Sequence, residues 1–165
     1  MNSYINQNLF KSDGSTSQRF LEYYGKHVLN IPRFLGVFAS DKQPPNLNIG
    51  DSYIVNYQTS KDSRGGSHWV AVKIISEDAA EVMDPSGIAI PDLEIEEHLK
   101  QRGIERSDIH TGPVFSLQEA SNGRWCGEIS IGFLASGLPL DIFAQHIDPN
   151  NIIRGWPLYE SMVYH

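Results

Sequence analysis

Residues 65–87, GGSHWVAVKIISEDAAEVMDPSG, contain two β-rich runs joined by a short polar turn. The first run, HWVAVKII, begins at His68, the second, AEVMDPSG, begins at Ala80, and SEDA connects them. Apolar and β-branched residues bounded by Gly, Ser and Asp are typical of an antiparallel hairpin. Such a hairpin brings the start of its first strand beside the end of its second. We therefore expect Asp84 to lie within reach of His68, to within two or three residues of register.

Upstream of the hairpin the sequence predicts one helix and two strands. STSQ has the spacing of a capping box and precedes an apolar helical repeat, so we expect a helix over about residues 16–28. FLGVFASDKQPP predicts a short strand that begins at Phe34 and ends before its two prolines. DSYIVNYQ is β-rich, and its alternation places Tyr53, Val55 and Tyr57 on one face.

Downstream the sequence predicts three helices and a strand. PDLEIEEHLKQRG predicts a helix with Asp92 as its N-cap and Gly103 as its terminator. DIHTGPVFSLQ predicts a strand that leads into the loop EASNGRW. From Cys126, apolar residues recur at helical spacing until Gly137, and we expect a further helix to extend to about His146.

The composition limits the class of protein. The 165 residues are 40% apolar, which predicts one domain (residues 1–165, with 1–14 flexible) rather than a disordered chain. No uncharged apolar run reaches the roughly 18 residues of a membrane span, and no secretory signal is visible, so we expect a soluble, intracellular protein. The net charge of −7 disfavours general nucleic-acid binding, which depends on Lys and Arg. A single cysteine excludes an intrachain disulfide and a four-cysteine zinc site.

Three residue types are placed as thiol catalysis requires. A thiol attacks as the thiolate, and the first turn of a helix favours the anion because backbone N–H groups point at it. Cys126 stands at a predicted helix start, His68 can accept its proton, and Asp84 can orient the imidazole. Gln118 and the backbone N–H of Cys126 can donate hydrogen bonds to an oxyanion. Each residue alone also has an ordinary structural role, since a lone cysteine is usually a small buried apolar residue.

The order GGSHW, MDPSG and WCGEISIGFL, with FLGVFASDKQPP upstream, resembles the adenovirus-type (adenain-like) cysteine endopeptidases. The resemblance covers roughly residues 20–137. It implies an α+β fold of the broader ubiquitin-like-protease group, in which a central mixed β-sheet packs against a buried helix that carries the nucleophilic cysteine. It also implies that His68, Asp84 and Cys126 are catalytic and that Gln118 is the oxyanion donor.

Two features depart from the family pattern. The spacing between Gln118 and Cys126 is a residue or two longer than usual, so Asn122 is an alternative donor. Trp125 stands where the family usually has a small or acidic residue, and it would narrow the cleft. The resemblance implies a preference for glycine next to the cleaved bond. The residues that we expect to contact the substrate are Gly66, Trp69, Trp125 and Gly127.

The resemblance implies a viral endopeptidase that cleaves capsid and core precursors during virion maturation, in a virophage or a related double-stranded DNA virus. Two alternatives stay open: a deconjugase for ubiquitin-like modifiers, and an inactive assembly protein on the same fold. The short chain favours the first function over the deconjugase, and the complete His, Asp and Cys set argues against the inactive protein.

The same reasoning gives expectations about partners and location. We expect a monomer in the virion and in the host-cell cytoplasm or virus factory, with no cofactor, no metal and no membrane partner. The sole cysteine is the expected nucleophile, so an activating peptide would bind non-covalently. Stimulation by DNA is not expected, because few Lys and Arg side chains are available to displace counterions.

Overall fold

A mixed β-sheet forms the centre of the fold in a computed structural model, which describes residues 18–56, 68–85, 93–111 and 126–146, apart from the side chains at 126, 128 and 144–146. Within these residues the sheet has five strands, which lie in sequence order. They are β1 (Phe34–Ala39), β2 (Ser52–Asn56), β3 (Trp69–Ser76), β4 (Ala79–Met83) and β5 (Ile109–His110). Strand β1 is parallel to β2 and β4 to β5, whereas β2–β3 and β3–β4 are antiparallel.

The helices and the sheet together give an α+β fold, which confirms the predicted fold class. The helices are α1 (Gln18–Tyr23), α2 (Leu93–Gln101), α3 (Cys126–Ser136) and α4 (Leu140–His146). A π-helical turn, Tyr24–Val28, continues α1, and a 3₁₀ turn, Arg106–Asp108, precedes β5. Within the described segments, no helix is long and apolar enough to cross a bilayer.

The β3–β4 pair is the predicted hairpin. Ala71 is paired with Met83, and the neighbouring pairs keep that register as far as the bulge beside the turn. Continued towards the open end, this register places Val70 opposite Asp84. His68 then lies two residues before Val70, on the same face and diagonal to Asp84. The predicted hairpin is confirmed.

Both faces of the sheet are buried, because helices pack on each of them. Tyr53 and Val55 of β2 face the side covered by α2, which confirms that they share a face. Ile54 faces the opposite side, where α1, α3 and α4 pack against it together with Trp69 and Ala71 of β3. A strand covered on both sides has no solvent-exposed face, which explains why every residue of β2 is buried, including the polar Ser52 and Asn56.

The first helix changes from α to π geometry over its last turn. The N–H of Leu29 donates to the C=O of Tyr24 at 2.8 Å, five residues earlier. Gly25 lies in this turn, and a Cβ there would come within 2.5 Å of the Phe34 ring and 3.1 Å of Ile131. The absent side chain therefore lets the turn pack directly against β1 and α3. The predicted helix over residues 16–28 is confirmed from Gln18 onwards, with this change of geometry.

Helix α1 is fixed to the edge strand β1 by two polar side chains. Glu22 Oε2 accepts a hydrogen bond from the N–H of Val37 at 3.0 Å, and Gln18 Nε2 donates to the C=O of Val37 at 3.2 Å. The β1–β2 register shifts just before this point, where Gly36 has φ +129°. These bonds satisfy backbone groups on a strand that, among the described strands, has a neighbour on one side only.

Helix α2 ends as the sequence predicts. Gly103 has φ +98°, and its N–H donates to the C=O of Lys100 at 3.0 Å. The N–H of Ile104 donates to the C=O of Leu99, also at 3.0 Å. These two bonds form a Schellman motif, and Ile104 and Leu99 are both buried in the same apolar cluster.

The end of α3 and the following helix also match the sequence predictions. Gly137 adopts φ +68° directly after α3, and α4 then extends to His146. The strand predicted over residues 108–118 is described as far as Thr111: Ile109–His110 form β5, and Asp108 ends the 3₁₀ turn. Tyr57, the N-cap Asp92 and residues 1–14 lie outside the described residues.

Tyr53 gives the fold a measurable pH dependence. Its ring is buried, its hydroxyl donates to Gln43 Oε1 at 3.1 Å, and burial raises the pKa of Tyr53 above its ordinary value. Above about pH 10 an unfolded chain loses this proton while the folded chain keeps it, so the free energy of unfolding falls as pH rises. We expect Tyr53→Phe to flatten this fall between about pH 9 and 11, measured by urea unfolding, and to cost about 1 kcal/mol at pH 7.

Tyr23→Phe alters a half-exposed ring and serves as the control; it should keep the wild-type pH dependence. An unchanged slope in Tyr53→Phe would show that other groups carry the alkaline instability.

Candidate active site

His68 and Asp84 form a hydrogen-bonded pair at the open end of the hairpin. His68 Nε2 lies 2.8 Å from Asp84 Oδ1, and the two side chains are 19% and 4% exposed. This contact confirms the prediction that a carboxylate on the second strand reaches the histidine. In the neutral imidazole, the contact holds the hydrogen on Nε2 and makes Nδ1 the acceptor. The pair therefore fixes both the orientation and the tautomer of the ring.

The first turn of α3 lies against the first residue of β3. A Cβ at Gly127 would come within 3.0 Å of Leu21 Cδ1 and 3.1 Å of Trp69 Cδ1. Such distances are shorter than normal van der Waals contact, so a larger residue at 127 would force these side chains to move. Gly127 thus allows the helix to approach α1 and β3 closely.

A hydrogen bond joins the same two elements one turn further along the helix. Ser130 Oγ donates to the C=O of Trp69 at 3.1 Å, and both residues are buried. Cys126 is the first residue of α3 and directly precedes Gly127, while His68 directly precedes Trp69. The candidate nucleophile and the candidate base are therefore each one peptide unit from a residue in the contact between α3 and β3.

Apolar packing holds α3 in this place. Its buried apolar residues come from more than one side of the helix, as is typical of a helix enclosed by a core. They are Ile129, Ile131, Phe133 and Leu134. Phe133 also contacts Phe143 of α4 edge-on, with ring centroids 5.4 Å apart.

Two of the residues expected to contact substrate are packed in the interior. Trp69 is 1% exposed and belongs to the core that α3 covers, and Gly127 is buried between Trp69 and Leu21. The structure gives both residues a packing role, and contact with substrate stays a prediction for them. The other predicted site residues lie outside the described residues: Gly66, Gln118, Asn122, Trp125 and the side chain of Cys126.

Ser130 is the residue of this site that the sequence reasoning did not single out. The available signal was a serine one turn after Cys126, flanked directly by Ile129 and Ile131, because a buried hydroxyl requires a hydrogen-bond partner. Among the described residues, no group of three or more His, Cys, Asp or Glu side chains is arranged to hold a metal ion.

An open cavity of about 390 Å³ lies near the far end of β3 from His68. One of its residues, Glu81, is buried, and its Oε2 accepts a hydrogen bond from the N–H of Leu140 at 2.9 Å, which fixes the start of α4. This cavity is separate from the His68–Asp84 pair. It is lined by Ile75, Glu81, His110, Thr111, Leu140 and Asp141.

Comparisons with known proteins add little to this site. No protein-family model matches the chain. No curated protein matches it. Among solved structures, it is similar to the central domain of the uncharacterized Lpg1148 protein from Legionella pneumophila, with a TM-score of 0.45, 15% identity, and coverage of 86% of this chain and 87% of that chain. So distant a likeness supports no inference about activity.

We expect Gly127→Ala to destabilise the protein by about 1–3 kcal/mol, because the added methyl group overpacks the contact with Leu21 and Trp69. Urea unfolding measures the change. Combining it with Leu21→Ala should give less than the sum of the two single effects, because the smaller residue leaves room for the methyl group. Additive effects would mean that Leu21 does not limit the space at position 127.

Proposed function

We propose that the protein is a cysteine endopeptidase of the adenovirus type, which cleaves capsid and core precursor polypeptides at glycine-containing sites during virion maturation. The observation that carries the proposal is the His68–Asp84 hydrogen bond, at the residue that directly precedes Trp69, which the first turn of α3 contacts. It pairs an imidazole ring with a buried carboxylate. The first residue of α3 is the chain's single cysteine.

In the proposed reaction, His68 accepts one proton and then donates it again in each half-cycle. The helix start favours the Cys126 thiolate. His68 accepts the thiol proton at Nδ1, and the Asp84 carboxylate stabilises the resulting imidazolium through Nε2. The thiolate attacks the scissile carbonyl, and the imidazolium gives its proton to the departing amine. Water, deprotonated by His68, then hydrolyses the thioester and regenerates the thiol.

The oxyanion of the tetrahedral intermediate needs donors near the nucleophile. In the proposal, the backbone N–H of Cys126 is one of them, because the first N–H groups of a helix have no partner within the helix. The side chain of Gln118, or of Asn122 in its place, is the second. Donors of this kind are typically worth a factor of about 10²–10³ in kcat each.

Cleavage assays on the purified chain under reducing conditions test the proposal. We expect cleavage of a peptide with Gly-Gly before the scissile bond at a much higher rate than of one with Leu-Leu. Cys126→Ala should lower kcat by at least about 10³-fold, because removing a nucleophile leaves only binding and electrostatic effects. Iodoacetamide should inactivate the wild type. Circular dichroism checks that Cys126→Ala keeps its fold.

A ubiquitin-like modifier conjugate is included as a second substrate. Cleavage of the conjugate alone would replace the endopeptidase proposal by the deconjugase. No cleavage of either substrate, with a slowly alkylated cysteine, would point to the inactive assembly protein.

The Asp84 carboxylate is expected to orient His68 rather than to exchange the proton itself. Asp84→Asn should lower kcat by about 10²- to 10⁴-fold with a small change in KM, because the amide favours the wrong imidazole tautomer. Steady-state kinetics on the Gly-Gly peptide measure both constants. A wild-type kcat would show that the carboxylate of the site lies elsewhere or that a Cys–His dyad suffices.

Asp51→Asn is the matched control. Asp51 is a second buried carboxylate, bonded to Arg33 Nε at 3.0 Å and to the N–H of Asn48 at 2.8 Å. We expect its replacement to lower stability and to leave kcat unchanged.

A further inference from the structure

Ser130 of α3 is fully buried, with 0% of the residue exposed. The other buried side chains that the structure describes in this helix are apolar. A serine within a helix commonly bonds to a carbonyl of its own preceding turn. Ser130 instead donates across to the C=O of Trp69, 61 positions away in the sequence. A buried hydroxyl with a directional partner on another element fixes how those two elements sit against each other.

The hydrogen bond from Ser130 to Trp69 lies close in the sequence to both candidate catalytic residues. Cys126 and Ser130 are four residues apart, so positions 126 and 130 share one face of α3. Trp69, the acceptor, directly follows His68. The bond therefore joins the helix face that contains position 126 to the peptide segment that follows the histidine.

Gly127 supplies the second contact between the same elements. Its close approach to Trp69 Cδ1 sets how near the helix comes to β3. The bond from Ser130 to the Trp69 carbonyl sets where along its axis the helix stands. The Gly127 contact limits the distance between α3 and β3, and the Ser130 hydrogen bond limits movement of α3 along its own axis.

We infer that Ser130 is a positioning residue, whose hydrogen bond to the Trp69 carbonyl holds the start of α3 in register with His68. The inference rests on the proposed function, because the register matters for chemistry only if Cys126 and His68 exchange a proton. Such an exchange needs the donor and acceptor atoms within about 2.6–3.2 Å. A displacement of about 1 Å costs on the order of 10²-fold in rate.

The test separates this role from ordinary stabilisation. We expect Ser130→Ala to lower kcat on the Gly-Gly peptide by about 10- to 100-fold while KM changes less than about threefold. It should also move the pH midpoint of Cys126 alkylation by iodoacetamide to higher pH. The reason is that the thiolate is stabilised less when the start of α3 is displaced from His68. Alkylation is measured on the full chain without substrate, so it is independent of substrate binding.

Ser136→Ala is the matched control on the same helix. Ser136 Oγ donates to the C=O of Phe133 at 2.6 Å, near the opposite end of α3. We expect its loss to change stability and to leave kcat and the alkylation profile as in the wild type.

Ser130→Thr and Ser130→Val form a second pair of the same shape, in which only threonine keeps the hydroxyl. Threonine should retain most of the wild-type kcat and alkylation profile, and valine should resemble alanine. This comparison decides the matter if Ser130→Ala does not fold.

Two results would overturn the inference in different ways. An active wild type with kcat and alkylation profile unchanged in Ser130→Ala refutes the positioning role and leaves the proposed function intact. A wild type that neither cleaves peptides nor shows rapid alkylation below pH 7 refutes the proposed function, and the positioning role with it.

Discussion

The register of β3 against β4 determines where the rest of the site lies. A slip of one residue would move Trp69 and Ala71 from the core beneath α3 to the core beneath α2, and it would place His68 and Asp84 on opposite faces. Towards the turn, Lys73 is half-buried and Ile75 is 38% exposed on the face of Trp69, so a slip would move this lysine to the buried side of Val70 and Val72. At the His68 end both faces of β3 are buried, and polarity does not select the register there. Shape selects it instead, because the large indole of Trp69 fits the side on which Gly127 leaves room.

Small residues then decide how closely the helices approach the sheet. Gly25 admits the Phe34 ring, and Gly127 admits Trp69 and Leu21, at distances that a methyl group would shorten below normal contact. The same side of the sheet holds both contacts. The position of α3 is thus defined by missing side chains as much as by the apolar residues around it, and a core packed to this density has little room to adjust.

Local patterns predicted most of the elements, because hairpins, helix terminators and alternating strands depend on neighbouring residues. The Asp84–His68 contact was predictable for this reason, since only a short turn separates their strands. The parallel pairing of β1 with β2, the π-helical turn at Tyr24–Val28 and the Ser130 hydrogen bond depend on packing between distant segments. Trp69 is predicted to be a wall of the cleft beside the nucleophile, and the structure places its side chain in the core that α3 covers, a position that depends on packing between distant segments.

Three buried carboxylates show why the His68 pair stands apart. Asp51 is compensated by the permanently charged Arg33, and Glu81 accepts a backbone N–H at the start of α4. Both partners keep the same charge at any pH near neutrality. Asp84 instead contacts an imidazole, the side-chain type that can exist in a neutral and in a charged form near neutrality. A partner of constant charge only compensates the buried carboxylate. A partner that can gain or lose a proton is different, because the carboxylate then favours its protonated form. A histidine that acts as a general base needs a neighbouring carboxylate of this second kind, which stabilises its protonated form. The comparison of Asp84→Asn with Asp51→Asn therefore contrasts a carboxylate beside an imidazole with one beside a group of fixed charge.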